Sequence, residues 1–184
     1  TNTENIGIGY RSGYALTGTK NTMIGYKSGM NGTSHDENVI IGYEACGLGV
    51  LTGNENVVIG MEAGKDMTSA TASVFIGDGA GTNVTTGARN IGIGKNTLED
   101  PDTENDNLAI GYNALSGTIA GGEDNIAIGN GALASLTSAD GTIAVGFEAG
   151  NAVTTDGGGS IFIGKFAGHD ITTGHSNIMI GEFA

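Results

Sequence analysis

The sequence is poor in the residues that cross-link, kink or anchor a small fold. It contains one Cys, one Pro and no Trp among 184 residues. A single Cys46 excludes an intrachain disulfide and a cysteine-based zinc site, and we expect its small apolar side chain to be buried. Apolar runs all stay far below the roughly 18 residues of a membrane-spanning helix, so we expect no membrane insertion.

Basic residues are also scarce. The chain has seven Lys and Arg residues but 20 Asp and Glu residues, which gives a net charge of −13 and a pI of about 4.3. This excess of negative charge argues against nucleic acid or an anionic membrane as the main partner, because both present phosphate groups. Neutral sugars, and anionic sugars bound through divalent cations, remain open as partners.

Glycine is in clear excess, with 35 copies. A collagen helix is excluded because glycine does not occupy every third position and there is a single proline. A disordered linker is disfavoured because 38% of the residues are hydrophobic and they recur at fixed spacing. The glycines therefore indicate a regular structure that needs tight corners.

The chain consists of copies of one short unit, each anchored on a glycine that follows Ile or Val. The eleven anchors lie 16 to 18 residues apart and run from one end of the chain to the other. They are Gly9, Gly25, Gly42, Gly60, Gly77, Gly94, Gly111, Gly129, Gly146, Gly164 and Gly181. Residues 1–184 are predicted to form a single repeat domain, which we expect to be a segment of a longer fibrous protein.

Several positions around the anchor define columns that recur in the copies. The asparagine column, four residues before the anchor, holds Asn in eight copies and Ser73, Thr142 or Ser160 in the others. The aliphatic columns, one and three residues before the anchor, hold Ile, Val or Leu everywhere except at Thr22. The small column, three residues after the anchor, holds Ala, Ser or Thr. An apolar residue and a polar turn then close each unit.

This unit predicts one coil of a β-solenoid. A period near 17 residues leaves no room for an ordinary helix beside a strand and its turns, and β-branched residues favour strands. We therefore predict an all-β fold, a parallel β-solenoid of about eleven coils stacked about 4.8 Å apart. In this prediction the aliphatic columns point inward as a ladder, the Asn side chains stack between coils, and the small column fills a corner.

The residue two before the anchor points away from the aliphatic columns and defines the central column. It contains no charged or strongly polar residue, although a lone solenoid would present polar residues on its outer face. An apolar outer stripe favours association with identical copies about a symmetry axis. The predicted trimer-interface residues are Met23, Ile40, Val58, Phe75, Phe162 and Met179.

The repeats resemble those of two families of fibrous proteins. Residues 56–64, Asn-Val-Val-Ile-Gly-Met-Glu-Ala-Gly, and residues 125–133, Asn-Ile-Ala-Ile-Gly-Asn-Gly-Ala-Leu, resemble the shaft repeats of bacteriophage tail fibres. They are also similar to the head repeats of trimeric autotransporter adhesins. The resemblance covers essentially the whole chain and implies a homotrimeric, left-handed β-roll. Adhesin heads have shorter units, and copies that end in Thr-Thr-Gly look more like the phage version.

Candidate sites are few. The corner column, just after the anchor, holds Tyr10, Tyr26 and Tyr43 in consecutive copies, which predicts an aromatic strip of the kind that stacks on sugar rings. The alternative is that these tyrosines merely cover the neighbouring coil. A weak calcium candidate is the carboxylate-rich run of Asp100, Asp102, Glu104 and Asp106, for which a solvated loop is the simpler interpretation.

The remaining polar residues predict no chemistry. His35, His169 and His175 fall in late segments of their units and are interpreted as exposed loop residues, with His169 and His175 at most an opportunistic metal pair. The Ile-Gly-x-x-Ala pattern also matches hexapeptide-repeat acyltransferases, but those enzymes repeat the hexad three times per coil and need a catalytic His. We predict no catalytic residue and no cofactor.

The sequence thus favours a non-enzymatic, rigid trimeric rod within a virion tail fibre that attaches to a host cell-surface glycan or protein. The alternative is an adhesin head on the bacterial outer-membrane surface, and an acyltransferase is a distant third.

Overall fold

Each copy of the repeat contributes one short strand that ends just before its anchor glycine. The computed structural model describes residues 3–99, 103–156 and 158–184. The main strands are β1 (Ile6–Ile8), β2 (Thr22–Ile24), β3 (Val39–Ile41), β4 (Val57–Ile59), β5 (Val74–Ile76), β6 (Ile91–Ile93), β7 (Leu108–Ile110), β8 (Ile126–Ile128), β9 (Ile143–Val145), β11 (Ile161–Ile163) and β13 (Ile178–Ile180). Two shorter strands, β10 (Thr155–Asp156) and β12 (Thr173–Gly174), lie in the Thr-rich turns.

The main strands stack in chain order as one parallel sheet. Over the described ranges this sheet has eleven strands, and each strand pairs with those of the coils before and after it in the same register. Ile24, for example, lies opposite Ile8 on one side and Ile41 on the other. The predicted all-β, parallel β-solenoid with a repeat of about 17 residues is confirmed, with about ten turns.

The coil turns at corners with positive φ that recur in the repeat. The anchor glycines have φ between 127° and 146°, a region that L-residues rarely enter. A methyl group added at Gly60 would collide with the backbone carbonyl of Gly77, so the anchors also allow neighbouring coils to approach closely. Two residues later the chain turns again, even where the residue is not glycine, as at Lys27 and Glu44 with φ of 53° and 51°.

The core lies inside the coils, and it is built from the central column rather than from the aliphatic columns. Met23, Ile40, Val58, Phe75 and Phe162 are at most 1% exposed in the single chain. Met179 packs against the same core and is partly buried. The predicted trimer interface at these six residues is therefore wrong, because five of the side chains are enclosed by their own chain and Met179 packs against the same core.

Strand alternation explains this reversal. The asparagine column, the central column and the anchor share one side of each strand, whereas the aliphatic columns share the other. Asn38 and Asn56 are fully buried, so their side of the strand faces the interior. The aliphatic side chains, predicted to point inward, instead form the outer face of the sheet, and that prediction is wrong as well.

Two other predictions about the interior are confirmed. Asn21 Oδ1 accepts hydrogen bonds from the backbone N–H and the Nδ2 of Asn38, at 3.0 and 3.2 Å, and Asn38 Oδ1 does the same for Asn56 at 2.8 and 3.0 Å. The small column fills a buried corner, as at Ala45 and Ala63, and Cys46 is buried as predicted. The asparagine column thus links successive coils inside the rod.

Candidate functional site

Three consecutive tyrosines form a stacked ladder on the surface, as the sequence predicts. The ring centroids of Tyr10 and Tyr26 are 5.4 Å apart, and those of Tyr26 and Tyr43 are 5.1 Å apart, with the planes tilted by 17° and 10°. The three residues are 59%, 40% and 49% exposed. The parallel register of β1, β2 and β3 produces this stack, since it places equivalent residues directly above one another. Its sugar-binding role stays a prediction.

Two cations flank the tyrosine ladder. The Arg11 guanidinium lies 5.4 Å from the centre of the Tyr10 ring and 5.3 Å from that of Tyr14. Lys27 Nζ lies 5.1 Å from the Tyr26 ring and 3.1 Å from Glu44 Oε1. The hydrogen bond to Glu44 raises the pKa of Lys27, so this amine stays charged at neutral pH. The rings and cations together suit a hydroxylated ligand better than a purely apolar one.

The outer face of the main sheet carries the two aliphatic columns and forms an apolar stripe along the described part of the chain. Near the middle of the rod Ile91 and Ile93 are each 37% exposed, and Ile178 in the last coil is 69% exposed. Among the 22 positions of the two columns Thr22 alone is polar. Sequence reasoning missed this surface because it assigned these residues to the core. The asparagine column lies an odd number of residues from both aliphatic columns, so the two sets point to opposite sides of the strand. Recognising the asparagines as interior would have placed the aliphatic columns outside.

Charged side chains elsewhere pair between neighbouring coils. Lys20 Nζ lies 2.7 Å from Glu37 Oε1, and Arg89 makes two contacts of 2.6 Å with the carboxylate of Asp106. Arg89 lowers the pKa of the Asp106 carboxyl through these hydrogen bonds. Because these pairs are exposed, each contributes little to stability.

The calcium candidate is not assembled in the part of the chain that the structure describes. Asp100 and Asp102 lie outside the described residues. Glu104 Oε1 accepts a hydrogen bond of 2.8 Å from the Gly121 N–H, and Asp106 is paired with Arg89. Among the described residues no group of three or more His, Cys, Asp or Glu side chains is placed to hold a metal ion.

The three histidines have different surroundings. His35 is fully buried, so its interpretation as an exposed loop residue is wrong. His169 is partly exposed and lies 3.3 Å from Glu148 Oε2 and 2.7 Å from Asp170 Oδ1, whereas His175 is exposed.

Burial raises the pKa of the Cys46 thiol to about 12, which keeps it protonated and a poor nucleophile.

Comparison with protein-family models, with curated proteins and with solved structures gives no match to this chain. In the described part of the chain there is no helix of the length and apolarity needed to cross a membrane. What the chain does is therefore inferred from its surfaces.

Proposed function

We propose that this chain is a structural and receptor-binding segment of a bacteriophage tail fibre, in which three copies pack into a rigid rod that attaches the virion to its host cell. The observation that carries the proposal is the aliphatic outer face of the main sheet. The role is mechanical and adhesive rather than catalytic.

The size of this face argues that it is covered in the working protein. Strands about 4.8 Å apart and side chains about 7 Å apart along each strand give a stripe on the order of 600 Å² over the whole sheet. Monomeric soluble proteins rarely leave contiguous apolar patches beyond a few hundred Å² in water. A sheet that is apolar on both faces is typically buried on both.

An identical copy is the simplest cover for this face. The stripe runs along all eleven main strands, so parallel copies about a common axis would cover one another over the length of the sheet. A group of three, and a left-handed winding, are what the resemblance to tail-fibre shafts implies. The proposed interface is the aliphatic columns, while the corner column with the tyrosine ladder stays accessible to a cell-surface receptor.

The mass of the protein in solution tests the assembly. We expect light scattering to give three times the chain mass of 18.4 kDa. The variant Ile93→Lys/Ile163→Lys places two charges on the aliphatic face and is expected to reduce the mass to that of one chain. Met61→Lys, at an exposed residue of the corner column, is the matched control and should keep the mass of the assembly. A wild-type mass of 18.4 kDa would overturn the proposal.

Cell binding tests the attachment role. We expect the fluorescently labelled assembly to bind bacterial cells and to compete with phage adsorption. Binding to animal extracellular matrix without binding to bacteria would instead support the alternative, the head of a trimeric autotransporter adhesin.

A further inference from the structure

Along the corner column several neighbouring side chains stack or form ion pairs, and Met61 lies between the tyrosine ladder and the first ion pair. Tyr10, Tyr26 and Tyr43 stack, and further along the rod Lys95 pairs with Asp78 at 2.9 Å and Lys165 with Glu182 at 3.5 Å. Between these pairs the column reads Tyr112, Asn130 and Phe147. Two exposed rings therefore lie two coils apart, with a small polar residue between them.

A cleft of about 340 Å³ lies at this position. Tyr112 and Phe147 line it, at 51% and 43% exposure, together with Asn113, Asn130 and Glu148. Its volume is in the range of small-molecule sites.

The cleft exists because one coil has small residues, Asn130 and Gly131, at two positions where other coils have larger side chains. Asn130 Oδ1 accepts a hydrogen bond of 3.1 Å from the Tyr112 N–H, which draws its side chain towards the neighbouring backbone. The next residue, Gly131, has no side chain to fill the space, and Asn151 Nδ2 donates to its carbonyl at 2.9 Å. The coil that carries Tyr43 has Glu44 at the equivalent of Gly131.

The spacing of the coils fits one ring between Tyr112 and Phe147. Two coil steps of about 4.8 Å separate their backbones, so a ring midway would lie about 4.8 Å from each level. The tyrosine ladder shows that this chain accommodates rings at that spacing, with centroids 5.1 to 5.4 Å apart. A ligand ring in the cleft would occupy the place that Tyr26 occupies between Tyr10 and Tyr43.

The polar groups of the cleft call for a ligand that donates hydrogen bonds. The Glu148 carboxylate lines the cleft and can only accept hydrogen bonds. No Lys or Arg is among the described residues that line the cleft, so nothing there would neutralise an anionic ligand. Hydroxyl groups on a ring whose C–H face can stack on aromatic rings are the chemistry that fits.

We propose that this cleft binds a neutral pyranose, with the sugar ring held between Tyr112 and Phe147 and a sugar hydroxyl donating to the Glu148 carboxylate. The sugar takes the place of the aromatic side chain that this coil lacks. One chain supplies all the lining residues, so the site does not depend on the proposed trimer and is tested separately from it.

The experiment is saturation-transfer NMR on the wild-type protein with the methyl β-glycosides of glucose, galactose and N-acetylglucosamine. We expect at least one of them to bind with a millimolar dissociation constant and to receive saturation through its ring C–H protons. Phe147→Ala and Tyr112→Ala should each weaken that binding about tenfold or more, because each removes one stacking surface.

Asn130→Tyr is the decisive variant, since it adds a ring rather than removing one. It should complete the aromatic row, abolish sugar binding and leave thermal stability at or above the wild-type value, which excludes misfolding as the cause. Met61→Ala, at another exposed position of the same column, should bind as the wild type does. Binding that persists in Asn130→Tyr, the absence of saturation transfer to all three glycosides, or a preference for indole over every glycoside would each overturn the proposal.

Discussion

His35 is a titratable side chain enclosed within the rod. Its Nδ1 lies 3.0 Å from Asn21 Oδ1 and 3.1 Å from Asn38 Nδ2, and its Nε2 has no hydrogen-bond partner among the described residues. Burial lowers the pKa of His35 to about 4, against a smaller opposing effect of the nearby Asp36 carboxylate. The imidazole is therefore neutral in the folded protein at the pH of most buffers.

This burial predicts a loss of stability in mild acid. In the unfolded chain His35 takes up a proton near pH 6.5, whereas in the folded chain it stays neutral until about pH 4, so falling pH favours the unfolded state. The free energy of unfolding should decrease by on the order of 3 kcal/mol between pH 6.5 and pH 4 through this group. Urea denaturation at a series of pH values measures the effect.

Comparison with a variant isolates this histidine from the carboxylates that also titrate in acid. His35→Gln should flatten the pH dependence in that window, while His175→Gln, at an exposed histidine, should leave it as in the wild type. Parallel curves for His35→Gln and the wild type would show that His35 does not contribute.

In most coils the interior is filled by a pair of residues of reciprocal size, although Ala144 and Gly150 form a pair of small residues. Phe75 in the central column faces Gly81, four residues after the anchor, and a side chain on Gly81 would collide with its ring. Two coils later the pair is reversed, with Ala109 in the central column and Leu115 four residues after the anchor. A narrow coil has space for one large side chain, and the sequence places it on either side.

This reciprocity predicts a rescue. Phe75→Ala should destabilise the protein by about 3 to 5 kcal/mol, because it leaves a cavity in a closed core. Adding Gly81→Leu should restore a large part of that loss, since Leu115 occupies the equivalent corner with φ of 50°, close to the 64° of Gly81. Chemical denaturation of the single and double variants measures the difference. A double variant no more stable than Phe75→Ala would contradict the prediction.

The sequence predicted the strands, their parallel order and the stacking of the asparagines, because these follow from a repeat whose period is too short for any other arrangement. It did not show which side of the strand is inside. Alternation separates Ile40 from Ile41 but does not label either face, and uniform isoleucine suggested a core. The reciprocal sizes of pairs such as Phe75 with Gly81 were the better indicator of an interior.

Of the candidate sites, the tyrosine ladder could be predicted because it needs only one residue per coil in the same position. The cleft beside Asn130 could not be predicted, because it depends on where the side chain of Asn130 points. The burial of His35 could not be predicted either, because it depends on contacts with Asn21 and Asn38 rather than on the residues adjacent in sequence.

On the scale of the whole molecule, the anchor glycines are one of the places where each coil closely approaches the next. A methyl group at Gly94 would lie 2.6 Å from the carbonyl oxygen of Gly111, inside the backbone of the following coil. Gly141 also has positive φ, of 64°, but a methyl group there would meet nothing within 4 Å. A substitution at Gly94 therefore tests the contact between coils, whereas one at Gly141 tests only backbone strain within a coil.

Gly94→Ala is therefore expected to divide the rod near its middle. Because stability in a stacked repeat depends on contacts between nearest neighbours, the two halves should unfold in separate steps and at lower temperature than the wild type. Gly141→Ala should keep a single transition and lose only about 1 kcal/mol. Calorimetry distinguishes these outcomes, and a single, unshifted transition for Gly94→Ala would refute the expectation.

The constant strand register has a genetic consequence. Ile24 lies between Ile8 and Ile41, and Ile59 between Ile41 and Ile76, so the strand pairing at one junction between coils is equivalent to that at another. Unequal recombination between repeats would then add or delete whole coils without changing the strand register. Each event would change the reach of the rod by about 4.8 Å, which makes its length a trait that selection can adjust in small equal steps.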